Sequence, residues 1–280
     1  MSSTGGPSAG LSVRGVSVTF GGLAALDDVS LTVDPGEVVG VIGPNGAGKT
    51  TLFNVVCGFV QPTSGTISYK GRELHRHQPH DLAALGISRT LQAVGLWQGL
   101  TVVENVMEGA HSRLRAGFVS SVFGLWRSSR EERRLRSQAM GLLDQLGAVD
   151  YASWLPRALP YAIQKRVALA RALIGEPTLL LLDEPASGLS PREMDELREL
   201  IRGIRGGAGV LLVEHHMDFV MPTCDRLVVL NFGRVIAEGS PDEVRADPEV
   251  TTAYLGEEVG AGAAGGGAGD SGRGGDDAQH

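Results

Sequence analysis

A nine-residue segment has the residue types and the spacing needed to hold phosphate groups: Gly43-Pro44-Asn45-Gly46-Ala47-Gly48-Lys49-Thr50-Thr51. It fits the pattern G-x-x-x-x-G-K-[ST], in which glycines let successive backbone N–H groups point at phosphate oxygens. Lys49 can reach the outer phosphates of a nucleotide, and the Thr50 hydroxyl is a suitable ligand for Mg²⁺. The segment therefore predicts a nucleotide-binding loop.

The residues on either side of this loop favour the same interpretation. The apolar run Val38–Ile42 before it predicts a buried strand, and Thr50–Val56 after it can open a helix. The positive N-terminal end of that helix would add to the attraction for an anion. A glycine-rich turn could match the pattern by chance, but the order of strand, loop and helix favours a phosphate site.

A second motif supplies carboxylates. Leu179–Leu182 predicts a buried strand, and Asp183 and Glu184 follow it directly. At a strand end beside the phosphate loop, Asp183 could hold Mg²⁺ and Glu184 could polarise an attacking water as a general base. The alternative is an ordinary acidic turn, which the presence of the phosphate loop makes the weaker interpretation.

Composition restricts the class of protein. The 280 residues, 42% of them hydrophobic, can bury a substantial core, and no stretch approaches the ~20 apolar residues of a membrane span. Only Cys57 and Cys224 are present, so we expect no disulfide framework and a reducing compartment. The net charge of −7 argues against nucleic-acid binding. The basic cluster between Arg113 and Arg136 is interrupted by acidic residues and predicts a solvated helix face.

The order of patterns predicts an α/β architecture with a largely parallel sheet. We expect disordered ends at residues 1–10 and 257–280, which are poor in large apolar side chains, around a folded region at 11–256. An N-terminal β portion would have Leu11–Phe20 and Ile67–Tyr69 as edge strands. The region Val102–Ser153 has no strand pattern and predicts a helical insertion. Further predicted elements are buried strands at Val210–Val213 and Leu227–Leu230 and a helix at Pro191–Ile204.

Over Leu11–Leu255 these motifs together resemble the nucleotide-binding subunit of ATP-binding cassette (ABC) transporters. The resemblance implies a P-loop NTPase core with a parallel sheet, an antiparallel β subdomain and an all-helical insertion at about residues 93–175. It also implies ATP and Mg²⁺ as ligands, ATP hydrolysis, and transmembrane permease subunits as partners. In this family two subunits sandwich two ATP molecules, so each site borrows a signature segment from the opposite chain.

The resemblance assigns roles to further residues. Gln92 is similar to the glutamine that links Mg²⁺ and the attacking water to the permease, and His215 to the switch histidine that contacts the γ-phosphate. Phe20 is similar to the aromatic residue that stacks on adenine. Pro185–Ser190 occupies the D-loop position, with Ser190 where aspartate is usual. Each of the first three could instead be an ordinary surface or packing residue.

Within the family, the chain resembles most the ATPase of high-affinity branched-chain amino-acid uptake systems. The resemblance implies a peripheral location on the cytoplasmic face of the membrane, with Ala93–Trp97 near the permease. The solute itself is chosen by the permease and any binding protein. The segments that carry this likeness are Phe20–Leu26, Gly58–Gly65, Thr101–Val106, Glu214–Met217 and Tyr254–Gly256.

The signature segment departs from the family pattern, which is close to L-S-G-G-Q or L-S-Y-G-Q. Here it is Leu159-Pro160-Tyr161-Ala162-Ile163. Pro160 has neither a hydroxyl nor an N–H to offer a phosphate, and Ala162 lacks the freedom of glycine. Removing one such donor costs on the order of 10²–10³ in rate in other enzymes. We therefore hypothesise an asymmetric heterodimer in which a second ABC ATPase subunit supplies an intact signature; a homodimer remains possible.

Two other functions are compatible with parts of the sequence. A nucleotide-sensing regulatory subunit with little hydrolysis of its own would explain the altered signature, but not the presence of Glu184 and His215. A soluble cassette ATPase acting on ribosomes or DNA would commonly carry two cassettes or a long coiled coil, and this chain has neither.

Overall fold

The computed structural model describes residues 10–90, 94–116, 129–204 and 206–254. Most residues of the two predicted disordered ends lie outside these ranges. Gly10 belongs to the folded part, because it is buried and its carbonyl accepts a hydrogen bond from the N–H of Lys70.

One layer is a four-stranded antiparallel sheet in the order β2-β1-β4-β5. Its strands are β1 (Leu11–Phe20), β2 (Leu23–Val33), β4 (Ser64–Tyr69) and β5 (Arg72–Glu73). The prediction that β1 and the 67–69 segment are edge strands was wrong: Leu11 pairs with Val33 on one side and with Tyr69 on the other, and β4 lies between β1 and β5. Alternating apolar residues in β1 show which face is buried, but they carry no information about the number of neighbouring strands.

The second layer is a six-stranded sheet in the order β10-β9-β3-β8-β7-β6, in which only β10 runs antiparallel. Alternate residues of its central strands pack against the antiparallel sheet on one face and against helices on the other. This two-sided burial explains why those strands are continuous apolar runs. The strands are β3 (Val38–Ile42), β6 (Ile87–Arg89), β7 (Leu179–Asp183), β8 (Gly209–Val213), β9 (Arg226–Asn231) and β10 (Arg234–Gly239).

Three helices form the predicted helical region: α3 (Val102–Ala116), α4 (Ser129–Gln145) and α5 (Tyr161–Leu173), with 3₁₀ turns at Val149–Tyr151 and Pro156–Ala158. Their apolar faces share one core with the helix-covered face of the large sheet. The remaining helices are α1 (Lys49–Val56), α2 (Leu82–Leu85), α6 (Pro191–Ile204), α7 (Met217–Thr223) and α8 (Pro241–Ala246). Residues 248–254 are also helical. Within the described ranges, every helix is too short or too polar to cross a lipid bilayer.

Candidate functional site

The phosphate loop connects the end of β3 to the start of α1, as predicted. Gly43, Gly46 and Gly48 all have positive φ angles, of 149°, 75° and 103°. A Cβ atom on Gly43 would lie 2.1 Å from the carbonyl oxygen of Leu230, and one on Gly48 would lie 2.7 Å from that of Ala25. These two glycines are therefore required by close backbone approach as well as by conformation.

Lys49 lies at the first position of α1 with its side chain buried over the loop. Its Nζ donates hydrogen bonds to the carbonyl oxygens of Gly43, at 2.6 Å, and Pro44, at 2.8 Å. The ammonium group is thus held at the concave side of the loop, where phosphate oxygens can replace the carbonyl oxygens as acceptors. Asn45 and Thr50 are exposed beside it.

The two predicted carboxylates lie at the same edge of the large sheet as this loop. Asp183, the last residue of β7, pairs with Val213 of β8, and Val213 pairs with Val41 of β3. With one strand between them, Asp183 and Val41 are roughly 10 Å apart along the hydrogen-bonding direction. The parallel register therefore brings Asp183 level with the residues that lead into the phosphate loop.

Asp183 is partly buried beside other acidic groups, and its pKa is raised from 3.8 to about 6. Burial is the main cause, followed by the charges of Glu184 and Glu214. A divalent cation would relieve all three effects. With the Thr50 hydroxyl, Asp183 offers the oxygen ligands that Mg²⁺ prefers, so the residues present fit this ion.

Glu184 and His215 come together although 31 positions separate them in the numbering. The N–H of Glu184 donates to the carbonyl oxygen of Val213, and Oε1 of Glu184 lies 3.8 Å from Nδ1 of His215. Glu184 has a positive φ of 45°, which is unusual for a residue with a side chain. The strand pairing of β7 and β8 thus brings the predicted base close to the predicted switch histidine.

Two residues at this site were missed by the sequence reasoning. Glu214 is fully buried, with Oε1 accepting from the N–H of Ala186 at 2.8 Å and Oε2 accepting from the N–H of His215 at 2.8 Å. Lys165 of α5 reaches the backbone immediately after Asp183. A glutamate directly after an apolar strand and before His215 was the available signal for Glu214; Lys165 carried no local signal.

Phe20, predicted to stack on adenine, ends β1 and is 53% exposed. The following strand β2 touches the phosphate loop, since a Cβ on Gly48 would meet the carbonyl oxygen of Ala25. An exposed aromatic ring at this hairpin is available to a ligand, and its role in base stacking stays a prediction.

The altered signature segment spans the start of α5. Pro160 is the N-cap, with φ −54° and ψ 147°, and no side chain caps the helix. Leu159 is buried, Tyr161 is 44% exposed and Ala162 is nearly buried, while Ile163 packs partly against the core. The N-cap position of this helix thus offers neither a hydroxyl nor an N–H, and the backbone N–H groups of the first turn remain.

Gln92 and the adjoining Ala93 lie outside the described residues, so the predicted role of Gln92 stays a prediction. Of the nearby apolar segment, Leu96 is buried and Trp97 is 63% exposed. The side chain of Asn105 fixes Trp97 by bonding to both its N–H and its carbonyl oxygen. In the D-loop, Ser190 bonds to Glu193 at the start of α6.

Comparison with known proteins identifies the class. A family model described as ABC transporter matches residues 26–187, and one described as branched-chain amino acid ATP-binding cassette transporter matches residues 234–260. The chain belongs to the ATP-binding subunits of ABC transporters, a family that binds ATP and works with transmembrane permease components, and it is an ATPase.

Its relatives include transport proteins of known solute class. The chain is 41% identical over 249 residues to the high-affinity branched-chain amino acid transport ATP-binding protein BraF of Pseudomonas aeruginosa, and 40% identical to LivG of Escherichia coli (strain K12); each alignment covers 88% of this chain and 98% of the relative. A solved ATP-binding cassette of an ABC transporter in its ADP conformation has a TM-score of 0.75 and 30% identity, covering 88% of this chain and 98% of that one. The predicted family and fold class are confirmed.

Proposed function

We propose that this chain binds Mg-ATP and hydrolyses it to energise a membrane importer of branched-chain amino acids. The observation that supports the proposed hydrolysis of ATP is that Lys49, Asp183 and Glu184 lie at one edge of the large sheet. Nδ1 of His215 lies 3.8 Å from Oε1 of Glu184. The match of residues 234–260 and the names of the relatives support the choice of solute. The chain would act from the cytoplasmic face of the membrane, bound to permease subunits.

Each residue has a task in this proposal. Lys49 exchanges its bonds to loop carbonyl oxygens for bonds to phosphate oxygens. Thr50 and Asp183 would hold Mg²⁺, which when bound neutralises the charge that develops on the phosphates. Glu184 would orient the attacking water and accept its proton, and His215 would contact the γ-phosphate. Gln92 would complete the set from the segment that leads to the permease.

Replacing Glu184 with glutamine tests the chemical part. Glutamine keeps the size of the side chain but cannot accept the proton, so turnover should fall at least 100-fold while ATP binding remains. The solute is tested in cells that lack this chain: the wild-type chain should restore leucine, isoleucine and valine uptake, and the Glu184→Gln variant should not. Normal turnover by the variant would contradict the role of Glu184. Unchanged leucine uptake in cells lacking the chain would contradict the assignment of branched-chain amino acids as the solute.

We further propose that the site completed by this chain's own signature hydrolyses poorly, so the working complex contains a second ATPase subunit. The absence of any side-chain cap at Pro160 supports this, because the helix end has lost a hydroxyl donor. A purified homodimer should then hydrolyse slowly. Changing Pro160→Ser, Ala162→Gly and Ile163→Gln together should raise its rate severalfold.

The matched control carries the same three changes with Glu184→Gln and should stay at background, which separates true hydrolysis from a contaminant. The extended backbone of Pro160 suits a serine N-cap. Because Ala162 and Ile163 pack at the core, the melting temperature of the restored protein checks that it is folded. An unchanged rate in the restored protein would overturn the asymmetry. Binding of Mg-ATP without turnover in the complete complex would instead favour a regulatory role.

A further inference from the structure

The backbone after the catalytic strand is held by side chains from two distant parts of the chain. Residues 184–186, named the Glu184 turn below, follow β7. Nζ of Lys165 donates to the carbonyl oxygens of Glu184, at 3.1 Å, and Pro185, at 2.8 Å. On the other side, the N–H of Ala186 donates to Oε1 of Glu214 at 2.8 Å. Three consecutive residues are therefore bonded through their peptide groups to side chains outside their own segment.

Glu214 joins this turn to the segment that carries the switch histidine. Its second oxygen, Oε2, accepts from the N–H of His215 at 2.8 Å and of His216 at 3.1 Å, and it lies 2.9 Å from Nδ1 of His216. The carboxyl group is fully buried and both of its oxygens are engaged. One side chain thus bonds both to the Glu184 turn and to the backbone of His215.

Lys165 joins the same turn to the helical region. It lies in the first two turns of α5, and burial lowers its pKa while the charges of Glu214 and Glu184 oppose that effect. The ring of Tyr161, one turn earlier, lies 5.3 Å from the ammonium group of Lys165. A Cβ on Gly188 would come 3.0 Å from that ring, so α5 packs directly on the backbone that follows the Glu184 turn.

We propose that Glu214 and Lys165 are positioning residues for hydrolysis, because together they clamp the Glu184 turn and hold the Glu184 carboxyl group against His215. The proposal rests on the roles assigned above to Glu184 and His215. Glu184 has a positive φ, a conformation that persists in a residue with a side chain only when its surroundings enforce it. Releasing one side of the clamp lets the turn relax, and a displacement of about 1 Å at a catalytic group can cost about 10²-fold in rate.

Two substitutions release the clamp with little change in volume. In Glu214→Gln, one amide oxygen can still accept, but the NH₂ group must face either the N–H of Ala186 or those of His215 and His216. Lys165→Met keeps most of the stem and removes the donors, whereas Lys165→Arg keeps the charge and donor capacity. The matched controls are Glu199→Gln on α6 and Lys70→Met after β4, both at exposed positions.

For each variant we measure three quantities. They are the steady-state ATPase rate of the complete complex with its second ATPase subunit and permease, the binding of a fluorescent ATP analogue, and the melting temperature of the full-length chain. We expect Glu214→Gln and Lys165→Met to lower kcat at least 10-fold and to leave the affinity for the ATP analogue within about 2-fold. Lys165→Arg should recover part of the rate. Glu214→Gln should cause no further loss when Glu184 is already glutamine, because both changes then act on one step.

The outcomes separate this proposal from the one on which it rests. If Glu184→Gln abolishes turnover but both clamp variants keep normal kcat and only melt earlier, the clamp is structural and the proposal fails. Loss of ATP binding in parallel with kcat also overturns it. If Glu184→Gln itself turns over normally, the assignment of Glu184 fails first and the clamp fails with it. Should Glu214→Gln not fold, the contrast between Lys165→Met and Lys165→Arg decides.

Discussion

Replacing Asp183 with asparagine should stabilise the nucleotide-free protein at pH 7.5. The folded state favours the protonated form of Asp183, since burial, Glu184 and Glu214 raise its pKa from 3.8 to about 6. The contribution of this group to stability is therefore fully present below pH 3.8 and is lost as the pH rises through about 6. At pH 7.5 the wild-type protein holds an unfavourable charge, which asparagine removes.

The size of the effect follows from the same pKa. A rise from 3.8 to about 6 corresponds to a ceiling of about 3 kcal/mol. Water and salt screen a partly exposed carboxylate, so we expect about 1 kcal/mol. That predicts a melting temperature higher by about 2–4 °C at pH 7.5, with the gain falling to about half at pH 5.

Thermal melts of wild type and Asp183→Asn between pH 5 and 8, without nucleotide or Mg²⁺, measure this difference. Asp144→Asn, at an exposed position of α4, is the control for replacing an aspartate with asparagine away from the site. Adding Mg-ATP should reverse the order of stability, because the wild-type protein keeps Asp183, the proposed Mg²⁺ ligand, and gains binding energy. The reasoning would be refuted if the variant melted at a lower temperature than wild type at pH 7.5 without nucleotide. It would also be refuted if the difference in melting temperature did not change with pH.

Substitutions at four further positions test the nucleotide site. Lys49→Met removes the ammonium group held at the loop and should weaken ATP binding at least 10-fold, as measured by calorimetry. Phe20→Ala should raise the Kd for ATP by at least about 5-fold through lost stacking, whereas Phe20→Tyr should bind normally; equal affinity in both would remove Phe20 from the site. Gly43→Ala should cost about 3 kcal/mol or more, because its Cβ would lie 2.1 Å from the carbonyl oxygen of Leu230. Gly46→Ala, with open space around its Cβ, should cost only about 1 kcal/mol in denaturant unfolding.

Local patterns were sufficient for several elements around the candidate site. The strand Val38–Ile42 and the helix Pro191–Ile204 have the predicted bounds, and the strand before Asp183 differs only by including that residue. These elements can be predicted from the sequence because each leaves a local pattern of a few residues. The patterns are an apolar run for burial on both faces, a proline in the first turn of a helix, and glycines where φ is positive. The neighbours of a strand in a sheet are set by long-range pairing and leave no such local pattern. This is why the prediction of β1 as an edge strand was wrong.

The sequence by itself was sufficient to identify the family and to predict the phosphate loop. Both depend on short motifs, and the residue types and spacing within each motif can be recognised without knowledge of the fold. Only the tertiary structure decided that Glu184 faces His215 and that Lys165 and Glu214 hold the backbone between them. In the sequence, Lys165 is one basic residue of a helix and Glu214 is one acid after a strand. Their importance comes from the parallel pairing of β7 with β8 and the packing of α5, long-range contacts that bury Glu214 and bring its oxygens to distant N–H groups.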